Sequence, residues 1–190
     1  MLDLLRKDQE LAGMMYDICD VDVLSQPKNP NDADGRLTFN LTGQVFARDG
    51  AGSEYIIFED DSVGVYDSEG ECGRIADSQK DFFEFMVNCP FWRDYIRPKS
   101  FCDIETLREF VNKTFEEHCE MAQEELDIDL VKMQKELANK MQLTLYKDIA
   151  QDILMKFYVS ATRNPQIIVT FQESDGNLSE SSGSIWGGEI

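Results

Sequence analysis

With 37 acidic against 18 basic side chains in 190 residues, the chain carries a net charge of −19. Such a body repels nucleic-acid backbones and anionic lipid at long range and draws basic partners towards it. Hydrophobic residues make up 42% of the sequence, enough to bury a core at this length, and no run approaches the ~20 apolar residues of a membrane span.

Residues 2–18 bring Leu4, Leu5, Leu11, Met15 and Ile18 to one side and predict a helix, weakened in its middle by Gly13. No basic region, apolar stretch or small-residue cleavage site precedes it, so no secretory signal is read there and a cytoplasmic location is expected. Cysteines at 19, 72, 89, 102 and 119 are odd in number and show no CxxC spacing, which points to free thiols in a reducing compartment. Residues 25–36, with two prolines, Asn, Asp and Gly, read as a loop.

An antiparallel meander is expected next, at about 37–75. Its strands are 37–41, 45–48, 54–59, 63–66 and 72–75, separated by turns at Thr42-Gly43, Asp49-Gly50-Ala51-Gly52, Asp60-Asp61-Ser62 and residues 67–71. Apolar residues on both faces of 54–59 suggest a central strand. Asp77 or Ser78, the latter with Asp81 three residues on, is suited to cap a helix that carries Phe82, Phe83, Phe85, Met86 and Val87 and stops at Cys89-Pro90.

Residues 103–159 carry three apolar stripes at helical spacing, which predicts two or three amphipathic helices with glutamate-rich outer faces. Asn164-Pro165 breaks the pattern, and Gln166–Phe171 reads as a further buried strand. The expected fold is therefore α+β: an antiparallel-rich central sheet flanked by amphipathic helices, in one domain over 1–172. Residues 173–190 are Ser/Gly-rich and read as a flexible tail.

Catalytic equipment is sparse. The single histidine, His118, lies beside Cys119 on a predicted helix, where neighbours point about 100° apart and cannot act together. GxSxG, GxxxxGK[ST] and GxGxxG motifs are absent. Asn31-Asp32-Ala33-Asp34-Gly35 resembles the start of a calcium loop, but alignment puts Pro30 at the first ligand and Leu41 at the bidentate position. Neither a metal nor another cofactor is expected, and the paired carboxylates of the turns read as solvated acids. The aromatics Phe91, Trp92, Tyr95 and Phe101 fit either an interface anchor or a small core over the end of the sheet.

One stretch carries a family resemblance. Its residues are FARDGAGSEY at 46–55, SVGVY at 62–66, Ser68-Glu69-Gly70, and RIADS at 74–78 leading into Phe82-Phe83-Glu84-Phe85. Over about residues 43–96 this order of hairpins, Glu-Gly turn and capped helix resembles the SUKH superfamily of bacterial toxin-immunity proteins and fungal cell-wall-synthesis regulators. The resemblance implies a non-enzymatic α+β protein that binds a protein partner, in bacterial members a toxin domain, often a nuclease. The acidity agrees independently, since a nuclease cleft is basic.

The expectation is thus an immunity protein with no catalytic role, no direct contact with nucleic acid or membrane, and an acidic rim. That rim is formed by Glu59, Asp60, Asp61, Asp67, Glu69 and Glu71, with Tyr66 and Trp92 as anchors. A regulatory or scaffold module of the same fold is the alternative, and a carboxylate-based hydrolase the third reading.

Overall fold

The computed structural model describes residues 1–30, 35–96 and 98–182. Alternation along the meander strands, with apolar side chains on both faces, requires a cover on each side. Helices cover one face of a five-stranded antiparallel sheet, and a small three-stranded sheet covers the other. The α+β class expected from the sequence is the observed one.

The N-terminal helix is two helices, α1 (Leu2–Lys7) and α2 (Gln9–Cys19). The break falls at Asp8, not at Gly13. Asp8 is extended, and its side chain accepts from the Leu11 N–H at 3.0 Å to cap α2, the usual role of an Asp in that position.

The larger sheet has the order β1-β3-β4-β5-β6. Its strands are β1 (Asp22–Lys28), β3 (Gly43–Arg48), β4 (Glu54–Phe58), β5 (Val63–Tyr66) and β6 (Cys72–Ala76). β4 is the middle strand, as its two apolar faces required. Tyr55 looks to the helices, and Ile56 and Phe58 look to the small sheet.

Two expectations change here. Part of the predicted 25–36 loop is the edge strand β1, where Pro27 falls in the irregular stretch between the Val23 and Lys28 pairings, a place that tolerates a residue without an N–H. Residues 37–41 do not open the meander either: β2 (Leu37–Phe39) pairs with β7 (Ile168–Gln172), which pairs in turn with β8 (Leu178–Ser182). Of the segment 173–190, residues 173–182 thus form a turn and a strand, and 183–190 lie outside the described residues.

Between the sheets lies a second core of Leu37, Phe39, Val45, Ile56, Phe58, Cys72, Ile167 and Val169. Gly64 permits their close approach. A Cβ on it would sit 2.7 Å from Ile167 Cδ1 and 2.8 Å from Phe58 Cε2.

On the opposite face, α3 (Gln79–Asn88) lays Phe82 and Phe83 against Phe46 and Tyr55 at ring separations of 5.1–6.4 Å. Ser78 caps α3 by accepting from the Asp81 N–H. Each such ring, fully buried, contributes roughly 1.5–3 kcal/mol.

The helical region holds α4 (Ile104–Leu126), α5 (Leu130–Met141) and α6 (Met155–Thr162), the last preceded by a π-helical turn, Ala150–Leu154. α5 and α6 are separate although no Gly or Pro divides them. Gln142 takes a left-handed conformation to end α5. Two buried polar residues of α3 then grip the following loop. Glu84 accepts from the Thr144 N–H and the Tyr146 O–H, and Asn88 accepts from the Tyr146 N–H and donates to the Thr144 carbonyl.

Among the described residues no helix is long and apolar enough to cross a membrane.

Candidate functional site

Successive hairpin turns fall at opposite ends of an antiparallel sheet, and this divides the predicted rim. β5 runs from the turn bearing Glu59, Asp60 and Asp61 to the turn bearing Asp67, Glu69 and Glu71, so about 13 Å of strand lies between them. The six acids therefore form two clusters, not one rim.

At the first end, Asp60 is committed to the fold. It accepts from the Ser62 N–H and O–H and lies 3.5 Å from the Arg74 guanidinium and 3.1 Å from that of Arg163. Burial opposes its charge, but the Ser62 bonds and the two arginines prevail and lower its pKa. Arg74 is only 1% exposed, and one of its nitrogens donates to the carbonyls of Arg163 and Pro165. Burial and the like charge of Arg163 lower its pKa. Glu59 and Asp61 are exposed beside this network.

The second end is organised by a residue that sequence reasoning missed. Arg93, in the 3-10 turn Trp92–Tyr95, donates to Asp49 at 3.2 Å and to Ser53 Oγ at 2.9 Å, and lies 3.9 Å from Asp67. It thereby ties the β3–β4 turn to the β5–β6 turn. Asp20 adds a third strap by accepting from the Gly50 N–H at 2.8 Å. Asp67 closes its own turn, accepting from the N–H groups of Glu69 and Glu71 at 2.9 and 2.8 Å. With Asp67 and Arg93 holding the backbone, the Glu69 and Glu71 side chains are left exposed, and neither forms an ion pair among the described residues.

The predicted anchors separate as well. Trp92 is a core residue, 3% exposed. Its indole N–H donates to the Tyr55 hydroxyl at 3.1 Å, and its ring packs on Phe85 and Phe157 while supporting the Arg93 guanidinium 4.7 Å above it. Its size and apolarity made it look like an anchor, and the same properties place it inside. Tyr66 is half-buried on the small-sheet side, edge-on to Phe39 at 5.7 Å, and burial is the main cause of its raised pKa.

Tyr66 lines an open cleft of about 360 Å³ between the β5–β6 turn and the β7–β8 hairpin. Ser68, Glu69 and Gly70 form one wall, and Val169, Phe171, Ser179, Glu180 and Ser181 the other. The second wall comes partly from the expected flexible tail. Its signal in the sequence was Asp175-Gly176, a hairpin dipeptide, with Gly176 at φ +88°.

His118 is buried. Its Nε2 lies 3.1 Å from Asp94 Oδ2 and its Nδ1 3.1 Å from the Tyr95 hydroxyl. This pins α4 to the turn that carries Arg93.

The carboxylates of a second cleft, about 450 Å³ between α3 and α6, are also engaged. Glu84 holds the 144–146 loop, Asp81 accepts from Ser78, and Asp77 binds Ser160 and Arg163. Among the described residues no group of three or more His, Cys, Asp or Glu is placed to hold a metal ion. The calcium-like Asn31–Asp34 segment lies outside them.

No protein-family model, no curated protein and no solved structure matches this chain.

Proposed function

We propose that this protein is a non-catalytic binder that captures a basic protein domain on the acidic end of its five-stranded sheet. The partner is a nuclease-type toxin domain, which the protein neutralises in the cytoplasm as an immunity protein.

One observation carries the reading. At the second end the work of holding the fold is assigned to Arg93, Asp49 and Asp67, so Glu69 and Glu71 project from a fixed turn, and among the described residues no cation pairs with them. Fixed, uncompensated charge steers a basic partner to one place and raises the association rate without any chemical step. The resemblance of residues 43–96 to the SUKH superfamily supports the immunity role. Engagement of Asp77, Asp81 and Glu84 within the fold speaks against the hydrolase reading.

The test is affinity capture from the native cell, then titration of the captured domain from about 50 to about 200 mM salt. Glu69→Lys/Glu71→Lys is expected to slow association and flatten the salt dependence. An unchanged slope overturns the acidic-end mechanism. A captured partner without toxin activity overturns the immunity role in favour of a scaffold.

A further inference from the structure

We propose that the cleft beneath β8 is a socket for a single arginine side chain of the partner. This rests on the reading of the acidic end as the partner-facing surface and says where on it the partner is gripped.

The cleft exists because of what β8 lacks. In the β7–β8 ladder Ser181 stands opposite Val169 and Ser179 opposite Phe171, and residues directly opposite share a face. Val169 and Phe171 line the cleft, so both inward positions of β8 are serines. Larger apolar side chains there would close the sandwich. Serines leave about 360 Å³ open beside the β5–β6 turn, more than one long side chain fills.

The lining fits a guanidinium. Tyr66 and Phe171 are aromatic walls, Ser68 and Ser179 bring hydroxyls, and Glu69 stands at the lip. Glu173, outside the lining, accepts from the Ser179 hydroxyl at 3.5 Å. Among the described residues no cation of the chain pairs with Glu69, Glu173 or Glu180.

The molecule already holds an arginine in this way. Arg93 lies 4.7 Å over the Trp92 ring, bonded to one serine hydroxyl and one carboxylate. The socket offers the same three elements with the cation missing. Lysine is the poorer fit, because its ammonium cannot stack as a plane and has three donors where arginine has five.

The experiment is a two-dimensional NMR titration of the full chain with N-acetyl-arginine methylamide and, separately, the lysine analogue. Arginine is expected to shift Tyr66, Ser68, Glu69, Gly70, Phe171, Ser179 and Ser181, and to bind several-fold more tightly than lysine. Ser179→Leu/Ser181→Val fills the cleft and is expected to abolish these shifts. Tyr66→Leu, which removes the ring, is expected to weaken binding about fivefold.

Shifts spread evenly over Glu59, Asp61 and the α4 glutamates, equal binding of lysine, or binding that survives filling would overturn the socket. The captured partner separates this idea from the one beneath it. If Glu69→Lys/Glu71→Lys weakens that partner and the filled variant does not, the socket is wrong and the acidic end stands. If filling the cleft weakens the partner while Glu71→Lys, outside the cleft lining, and added salt do not, the socket stands and charge steering by the acidic end fails.

Discussion

At one end of the five-stranded sheet, the turn over residues 59–62 is drawn into an arginine network. At the other, the turn over residues 67–71 is held from behind and shows its glutamates to solvent. In sequence the two turns are alike, short and acidic between apolar runs. They differ in where the cations stand. Asp60 faces Arg74 and Arg163, whereas Arg93 meets Asp67 and Asp49, and among the described residues no cation pairs with Glu69 or Glu71. An acidic residue therefore says little about potential until the nearest guanidinium is located.

The largest expected effect is at the first end. Asp60→Ala leaves Arg74 buried without its carboxylate and is expected to cost about 2–3 kcal/mol in urea unfolding. That is less than the roughly 3–5 of a fully buried pair, because 44% of the Asp60 side chain is exposed. Arg74→Met/Asp60→Ala, which removes both charges, is expected to recover most of the loss. A loss as large as that of Asp60→Ala alone would mean that the network does more than balance charge.

Next comes binding. Glu69→Lys/Glu71→Lys is expected to weaken the captured partner about tenfold at low salt, or ~1.4 kcal/mol. Glu59→Lys/Asp61→Lys, at the other end, is expected to change it little. Equal losses would erase the distinction between the ends.

Arg93→Met is expected to cost about 1 kcal/mol, since its side chain is 40% exposed and its pairs are solvent-screened. Its clearer readout is faster hydrogen exchange at Ser53 and Gly70, whose amides close the two turns it ties together.

The smallest effect is in acid. Folding lowers the Asp60 pKa from 3.8, so its contribution is complete above that value and is lost as pH falls through the folded-state pKa. Asp60→Asn is expected to flatten the stability profile below about pH 4 and to leave its shape above that point unaltered.

Much of the fold could be read from residue order. The meander turns, the Ser78 cap, the central place of β4 and the three amphipathic stretches all rest on local chemistry. What could not be read depends on contacts distant in sequence. β2 has the composition of a meander strand, but its partner, β7, lies about 130 positions away in the chain. The α5–α6 break has no local signal, because its cause is Glu84 and Asn88 on another helix.

The site divides the same way. Tyr66, Glu69 and Glu71 stand out in the sequence by residue type, and the structure leaves them at a cleft or exposed. Trp92 stands out for the same reason and is buried. Arg93 does not, because nothing in its neighbourhood shows that two turns converge on it.

Among the described residues β8 stands last in the strand order of the small sheet, an edge position of the kind that can recruit copies of its own chain. Its sequence, Leu-Ser-Glu-Ser-Ser, is five residues long, has one carboxylate at its centre and contains no β-branched residue. A second molecule laid against it would set Glu180 close to Glu180 and gain almost no apolar contact. The composition of β8 thus discourages growth into fibres at the edge it occupies.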